Sequence, residues 1–445
     1  MATLRTATLL VALAGTSIVT SPVVAEICTV DAVPSSTLLL PYFEVDLEFP
    51  NGVTTIFTIG NASSDPVLAE VVLWTDLGIP VLTFQVPLTG YEVQPINLRD
   101  VFYGEIAVQD IVFGNLSREV PVEQSDPCTF LLCPEVDPIE QAAAACTGNA
   151  IPGLANKCGG TRYYDSLARG YATIVARTRA HGDRPESAVL ILTCEPYESC
   201  IQCPSDDEEP EGCKDYETAT RSENVLFGEF IYVESSRDYA QGGTLVNIEA
   251  DELAFETSQP GQNTFNGRFV DWTAADHQEP LATTFAARYL QNTAFTGGTD
   301  LIVWRDPKEI IEPFDCDLGP PPPFPLGQEA IVIFDEHENV DIQPSLPISP
   351  QPEGSLLNPF PWATQRVKVG GPALPVLFDA GWLYLNLNAG NINGNPPEDP
   401  FASQNWVTVL QSAEGRYSVG FDAIQLDSAC NANHLDPDEN PALTP

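Results

Sequence analysis

The chain is 445 residues long and carries 62 acidic against 19 basic side chains, a formal charge of −43. That length exceeds what one ordinary core serves, so two domains are expected. The charge repels nucleic acid and anionic membranes and excludes both as partners, whereas it suits a saline medium and attracts divalent cations.

Met1 to Ala25 has the three parts of an export signal. Arg5 is its positive end, Leu9 to Val19 its apolar run, and Val23-Val24-Ala25 a small-residue cleavage site. The run is too short for a membrane span and no later segment approaches one, so the mature chain is expected to have no transmembrane segment. It is expected in the periplasm, at the cell surface or outside the cell. Cleavage removes Arg5 alone among the charged residues, leaving 18 basic against 62 acidic side chains.

Ser36 to Val45 then reads as a strand, placed at a sheet edge because Pro41 cannot donate to a ladder. Val53, Thr55, Phe57 and Ile59 alternate onto one face. Val67 to Asp76 is nearly continuous in apolar residues and predicts a central strand covered on both sides. Leu82, Phe84, Val86 and Leu88 alternate again, and Tyr91 to Leu98 follows a Thr89-Gly90 turn. Short strands cut by turn residues, with no helix between them, are the rhythm of an antiparallel sandwich.

Residues 121–166 interrupt that rhythm with Cys128, Cys133, Cys146 and Cys158 and one helical candidate, Pro138 to Cys146. Residues 194–213 form a second interruption with Cys194, Cys200, Cys203 and Cys213, around the acid run Asp206 to Glu209. In an exported chain both read as disulfide-stapled loop insertions, and each group of four permits three pairings. Strands are predicted at Gly170 to Arg179, Ser187 to Cys194, and in a hairpin of Val225 to Glu234 with Thr244 to Ala250.

The second half echoes the first. Thr54-Thr55-Ile56-Phe57 is matched by Thr283-Thr284-Phe285, and Trp74-Thr75-Asp76 by Trp304-Arg305-Asp306. Thr55 and Trp74 are 19 positions apart, Thr284 and Trp304 20, which suggests an internal duplication of one sandwich unit. A Pro-rich insertion spans 313–361, further strands are predicted at 330–334, 380–386, 406–411 and 416–426, and residues 431–445 read as an acidic, disordered tail. The expected architecture is all-β: two antiparallel immunoglobulin-like β-sandwich domains over 26–255 and 256–430, with stapled insertions.

The phrases STLLLPYFEVDL, GYEVQPINLRDVF, EPLATTFAARYL, GGTDLIVWRDPK and SAEGRYSVGFDAIQL together resemble those of a group of exported bacterial β-rich proteins. The resemblance covers most of the chain outside the cysteine-rich and Pro-rich stretches. It implies one exported architecture and carries no activity or functional residue.

Chemistry is thinly signalled. The four histidines are far apart and none forms H-E-x-x-H; there is no G-x-S-x-G; and Cys200-Ile201-Gln202-Cys203 is a lone C-x-x-C. Asp335-Glu336-His337-Glu338 reads as a solvated strand end. Asp76 and Asp306 are the least arbitrary carboxylate pair, expected to accept backbone N–H bonds in the turns after their strands. Asp436, Asp438 and Asn440 have the i, i+2, i+4 oxygen spacing that opens a calcium loop, although Pro441 stands where glycine is needed. Trp74, Trp304 and Trp382 are expected in the core, and Trp272 and Trp362 are the candidates for exposed, glycan-stacking rings. Asn61-Ala62-Ser63 and Asn115-Leu116-Ser117 match the glycosylation sequon by chance. The expected function is a non-catalytic exported structural or binding protein, with a glycan or another surface protein as partner, no catalytic residue and no cofactor beyond possible calcium. The alternatives are a glycan-acting hydrolase using paired carboxylates and a calcium-dependent adhesion module, with function on the stapled insertions rather than the scaffold.

Overall fold

The computed structural model describes residues 33–104, 112–114, 138–149, 159–179, 220–221, 223–249, 281–291, 296–306, 326–328, 330–343, 358–387, 404–413 and 417–426. The first half contains β1 (Thr37–Asp46), β2 (Val53–Asn61), β3 (Val67–Thr75), β4 (Pro80–Leu88), β5 (Val93–Asn97), α1 (Leu98–Phe102), β6 (Val112–Gly114) and α2 (Pro138–Cys146). It continues with β7 (Leu167–Arg179), β8 (Thr220–Arg221), β9 (Leu226–Phe227), β10 (Glu229–Glu234), β11 (Tyr239–Thr244) and β12 (Val246–Ile248). The second half contains β13 (Thr284–Leu290), β14 (Gly298–Arg305), β15 (Ala330–Asp335), β16 (Val340–Gln343), β17 (Thr364–Lys368), β18 (Ala380–Asn386), β19 (Asn405–Ala413), β20 (Tyr417–Asp422) and β21 (Ile424–Gln425).

The protein is mostly β, and its named strand pairs are antiparallel. Each half builds an outer and an inner sheet. In the first half the outer sheet runs β11-β10-β2-β5 and the inner one β12-β1-β7-β3-β4-β6; in the second, the outer sheet runs β16-β15-β18-β13-β21 and the inner one β17-β14-β19-β20. Phe57, Ile59, Phe230 and Tyr232 of the first outer sheet pack on Leu38, Leu40, Val71 and Ile174 of its inner sheet. Phe285, Tyr289, Ile333 and Leu385 pack likewise on Leu301, Val303, Val407 and Val409.

The inner sheets also pack on each other. Leu39, Val72, Trp74 and Tyr171 meet Trp304, Ala363 and Trp406 in a third apolar layer. Strand periodicity produces this directly: in β14, Leu301 and Val303 face one core while Trp304 faces the joint. β1 and β3 are therefore buried on both faces apart from Leu68, which explains the unbroken apolar run of β3. Trp74 stacks on Tyr171 with centroids 5.6 Å apart, and Tyr171 meets Trp304 edge-on at 5.9 Å. The Trp74 indole N–H donates to Thr173 Oγ1 at 2.9 Å.

Seven strands of each half correspond in chain order and pairing. β2, β3, β4, β5, β7, β8 and β9 match β13, β14, β17, β18, β19, β20 and β21. The echoed phrases fall on the first two of these. Trp74 is the register partner of Tyr171, and Trp304 that of Trp406, so each unit presents one cross-strand aromatic pair to the joint.

Several expectations are corrected. β1 is internal along residues 37–39, between β12 and β7; Pro41 is accommodated because the register with β7 shifts between Leu40 and Phe43, at a bulge that needs no donor. The hairpin partner of β10 is β11, inside the segment read as its loop, after a tight turn ending at Asp238 with φ 47°. The Thr244-to-Ala250 candidate instead supplies β12, in the other sheet. Within the expected Pro-rich insertion, the strand predicted at 330–334 is β15, which with β16 forms a hairpin of the second outer sheet. Within the insertion at 121–166, the helical candidate Pro138 to Cys146 is α2, and it contributes Ala142, Ala145 and Cys146 to the first core rather than standing out from it. Cys146, one of the disulfide candidates, is a buried thiol on the core-facing side of that helix, and its candidate partners Cys128, Cys133 and Cys158 lie outside the described residues. The other seven cysteine candidates, the strand candidate at 187–194 and the tail lie outside the described residues.

Candidate functional site

β1 bends at its bulge, and the residues beyond it, Tyr42, Glu44 and Asp46, line a cleft of roughly 900 Å³ between the two halves. Tyr163, Arg169 and the β10–β11 turn complete the wall of the first half, while Asp300 of β14 and Thr364 to Arg366 and Lys368 of β17 form the wall of the second. β17 is held there by backbone and side chain together. The Thr364 N–H donates to the Asp76 carbonyl at 3.2 Å, and the Thr364 hydroxyl to the Pro41 carbonyl.

A chain of alternating charges crosses the joint. Arg169 makes a two-pronged contact with Asp165 at 2.9 and 2.8 Å. The Arg169 Nε lies 3.5 Å from Glu44 Oε1, and Arg366 Nη1 lies 3.4 Å from Glu44 Oε2. Arg366 then donates through Nε and Nη2 to Asp300 Oδ2 at 2.9 and 2.6 Å. Glu44 is fixed for this by Thr55, whose hydroxyl accepts from its N–H and donates to its carbonyl. Burial works against the charge of both arginines, but their acidic neighbours outweigh it and raise their pKa values.

The first half carries a second polar node beside the cleft. Asp76 is buried; its Oδ1 accepts from the Thr161 N–H at 2.8 Å and its Oδ2 from the Tyr163 hydroxyl at 3.2 Å. Burial raises its pKa against those two bonds, and burial next to Asp76 raises that of Tyr163. The turn after β3 is closed by Thr75 instead, whose hydroxyl accepts from Leu77 and Ile79. Asp76 thus pins a distant loop rather than its own turn. Arg305, following Trp304, is fully buried and donates to Asn405 Oδ1, the Phe360 carbonyl and the Leu387 carbonyl at 3.1, 2.8 and 2.8 Å. Burial lowers its pKa to about 9, which leaves it charged at neutral pH.

The remaining sequence candidates scatter. Asp306 is buried at the joint, on the opposite unit from Asp76. Trp74 and Trp304 are core residues as expected, but Trp382 is 36% exposed with Arg288 6.0 Å from its ring centroid. Trp362, expected exposed, packs half-buried on the first core. Asp335 accepts from the His337 and Asn339 N–H groups at 2.8 Å each, closing the β15–β16 turn as a solvated strand end. The Asn61 side chain is buried and bonded to Ser63, Asp65 and Thr89, which leaves no access for a glycosylating enzyme. Asp436, Asp438, Asn440, Trp272 and Asn115 lie outside the described residues; among the described ones no group of three acids, cysteines or histidines could hold a metal.

The cleft itself was missed by sequence reasoning, since Glu44 and Arg366 are 322 positions apart. The scarcity of basic residues was the available signal, because cations so few are best looked for where they are paired. Tyr163 and Asp165, at the end of the 121–166 segment, contribute to the cleft or to its charge chain. No family model matches the chain, and no curated protein or solved structure matches it either.

Proposed function

We propose that this is a non-catalytic exported structural or binding protein of the cell surface or extracellular space, built from two immunoglobulin-like sandwiches joined through their inner sheets. The topology supports the finer fold reading. The series β8-β7-β3-β4 and β20-β19-β14-β17 follow the G-F-C-C′ order of a variable-type sandwich, and β9-β2-β5 and β21-β13-β18 its A-B-E order. The strand in the A position comes from the end of each unit, and in the first unit β1 shares the G position with β8. The cysteine-rich segments, Cys146 apart, fit as stapled loops on the first unit.

One observation carries the functional reading: the charged groups at the centre of the cleft are spent on each other. Glu44, Asp165 and Asp300 each face an arginine, and Asp76 is tied down by two donors. Glycoside hydrolysis needs two carboxyl groups free to face a substrate, about 5–10 Å apart. Here the carboxylates instead hold two halves of a molecule together. Purified exported protein incubated with a broad set of glycoside, ester and peptide substrates is expected to show no turnover. Turnover abolished by Glu44→Gln or Asp300→Asn, with the fold retained by circular dichroism, would defeat the reading.

A further inference from the structure

The loop at residues 160–166, on the rim of the cleft, displays two aromatic rings to solvent. Tyr163 is 42% and Tyr164 83% exposed. Tyr164 has φ 61°, in the left-handed region that a bulky non-glycine residue seldom enters. The loop is nonetheless held firmly. Beyond the bond from Thr161 to Asp76, the Ser166 hydroxyl donates to Asp46 Oδ1 at 2.9 Å and the Leu167 N–H to Asp165 Oδ1 at 3.1 Å. An arginine braces each ring: the Arg169 guanidinium lies 4.5 Å from the Tyr163 centroid, and that of Arg162 4.7 Å from the Tyr164 centroid.

We infer that Tyr163 and Tyr164, with the adjoining cleft, form a binding site for a neutral glycan. This rests on the reading of the protein as a binding module and names its ligand class. A chain of charge −43 disfavours polyanionic ligands, including sulfated and uronate polymers. The cleft lining carries five acids against three bases, so it too disfavours an anion, and what it offers a neutral ligand is hydrogen-bonding capacity. Exposed rings in a fixed loop present flat, electron-rich faces, which suit the weakly positive C–H faces of a pyranose. Their neighbours Thr161, Arg162, Asp165 and Ser166 are all polar, matching a ligand that alternates apolar faces with hydroxyls. A protein partner would call for an apolar surround at the anchor rings, and this loop has none.

The test is affinity electrophoresis of the full-length exported protein through gels containing a soluble β-glucan, a galactomannan, an arabinoxylan or starch, with alginate and dextran sulfate as charged controls. Retardation is expected in at least one neutral gel and in neither control. Tyr164→Ala should weaken it about five- to tenfold, whereas Tyr164→Phe, which keeps the ring, should retain it. Tyr164→Gly separates binding from folding: it relieves the φ strain and should keep or raise the melting temperature while losing retardation. No retardation in any neutral gel, or retardation indifferent to Tyr164→Ala and Tyr164→Gly, overturns the glycan site and leaves the non-catalytic reading standing. Cleavage of the retained polysaccharide would do the reverse.

Discussion

At the scale of single residues, Asp76 is the group whose protonation the fold perturbs most informatively. Its carboxyl receives two hydrogen bonds, yet burial prevails and raises its pKa. The folded protein therefore holds that proton more tightly than the unfolded chain, so the group favours folding in acid. That contribution fades as pH climbs from the unfolded value through the folded one, and at neutral pH ionisation of Asp76 weighs against folding. Asp76→Asn keeps an oxygen for the Thr161 N–H and removes the charge. The variant is expected to have a higher urea midpoint than wild type at pH 7, with the gap closing as pH falls toward about 4. A gap of constant size across that range would show that something other than the carboxyl charge sets it.

At the scale of elements, close approach between strands decides what each position tolerates. Gly170 of β7 faces Thr75 of β3, and a Cβ built there would lie 1.9 Å from the Trp74 carbonyl oxygen and 2.8 Å from the Phe43 ring. Because the obstacle is backbone, it cannot rotate away. Gly170→Ala should lower stability by about 2 kcal/mol or more, measured by denaturant titration, against little effect at Gly243, where a Cβ would meet the Phe230 ring at an ordinary 3.6 Å. The strands themselves were legible because alternation, apolar runs and turn residues are local signals: β2, β4, β18 and β19 follow the periodicity of their own residues, and β3 its continuous apolar run. β11 was not, since YAQGG has no alternating apolar face and owes its strand conformation to pairing with β10. Pro41 misled for a related reason, as its missing donor matters only where the ladder is regular. The duplication was visible in Trp74 and Trp304 but only half read, because Tyr171-Ala172-Thr173 and Trp406-Val407-Thr408 differ in the aromatic residue while filling the same place. The cleft left no trace in any local pattern, only in the scarcity of basic residues, since its two walls come together through the packing of whole sheets.

At the scale of the molecule, the halves are joined by the Thr364 bonds to Asp76 and Pro41, by bonds between β20 and β11, by a charge chain and by an aromatic layer. The sizes of the last two predict which of them matters more for cooperativity. The charge chain through Glu44 and Arg366 is partly solvent-exposed, with Arg366 at 28% and Glu44 at 11%. Pairs of that kind contribute about 1 kcal/mol and are weakened by salt. The aromatic layer is different: Trp74, Trp304 and Tyr171 are fully buried and Trp406 is 6% exposed. Four such rings bury on the order of 600–1,000 Å², which at about 25 cal/mol per Å² is more than ten times the charge contribution, even as an upper bound. Wild type should therefore unfold in one transition when followed by calorimetry and by tryptophan fluorescence. Arg366→Ala should lower the melting temperature slightly and leave that single transition intact. Adding salt should raise the melting temperature of both proteins, because screening the self-repulsion of 43 excess negative charges outweighs screening one chain of pairs. The Trp74→Ala/Trp304→Ala double variant removes two of the four rings that join the inner sheets without touching Phe57 or Phe285 in the cores on either side. Its two halves should then melt separately, giving two calorimetric transitions where wild type has one. Two transitions in Arg366→Ala and one in the tryptophan variant would reverse the ranking and make the charge chain the principal joint.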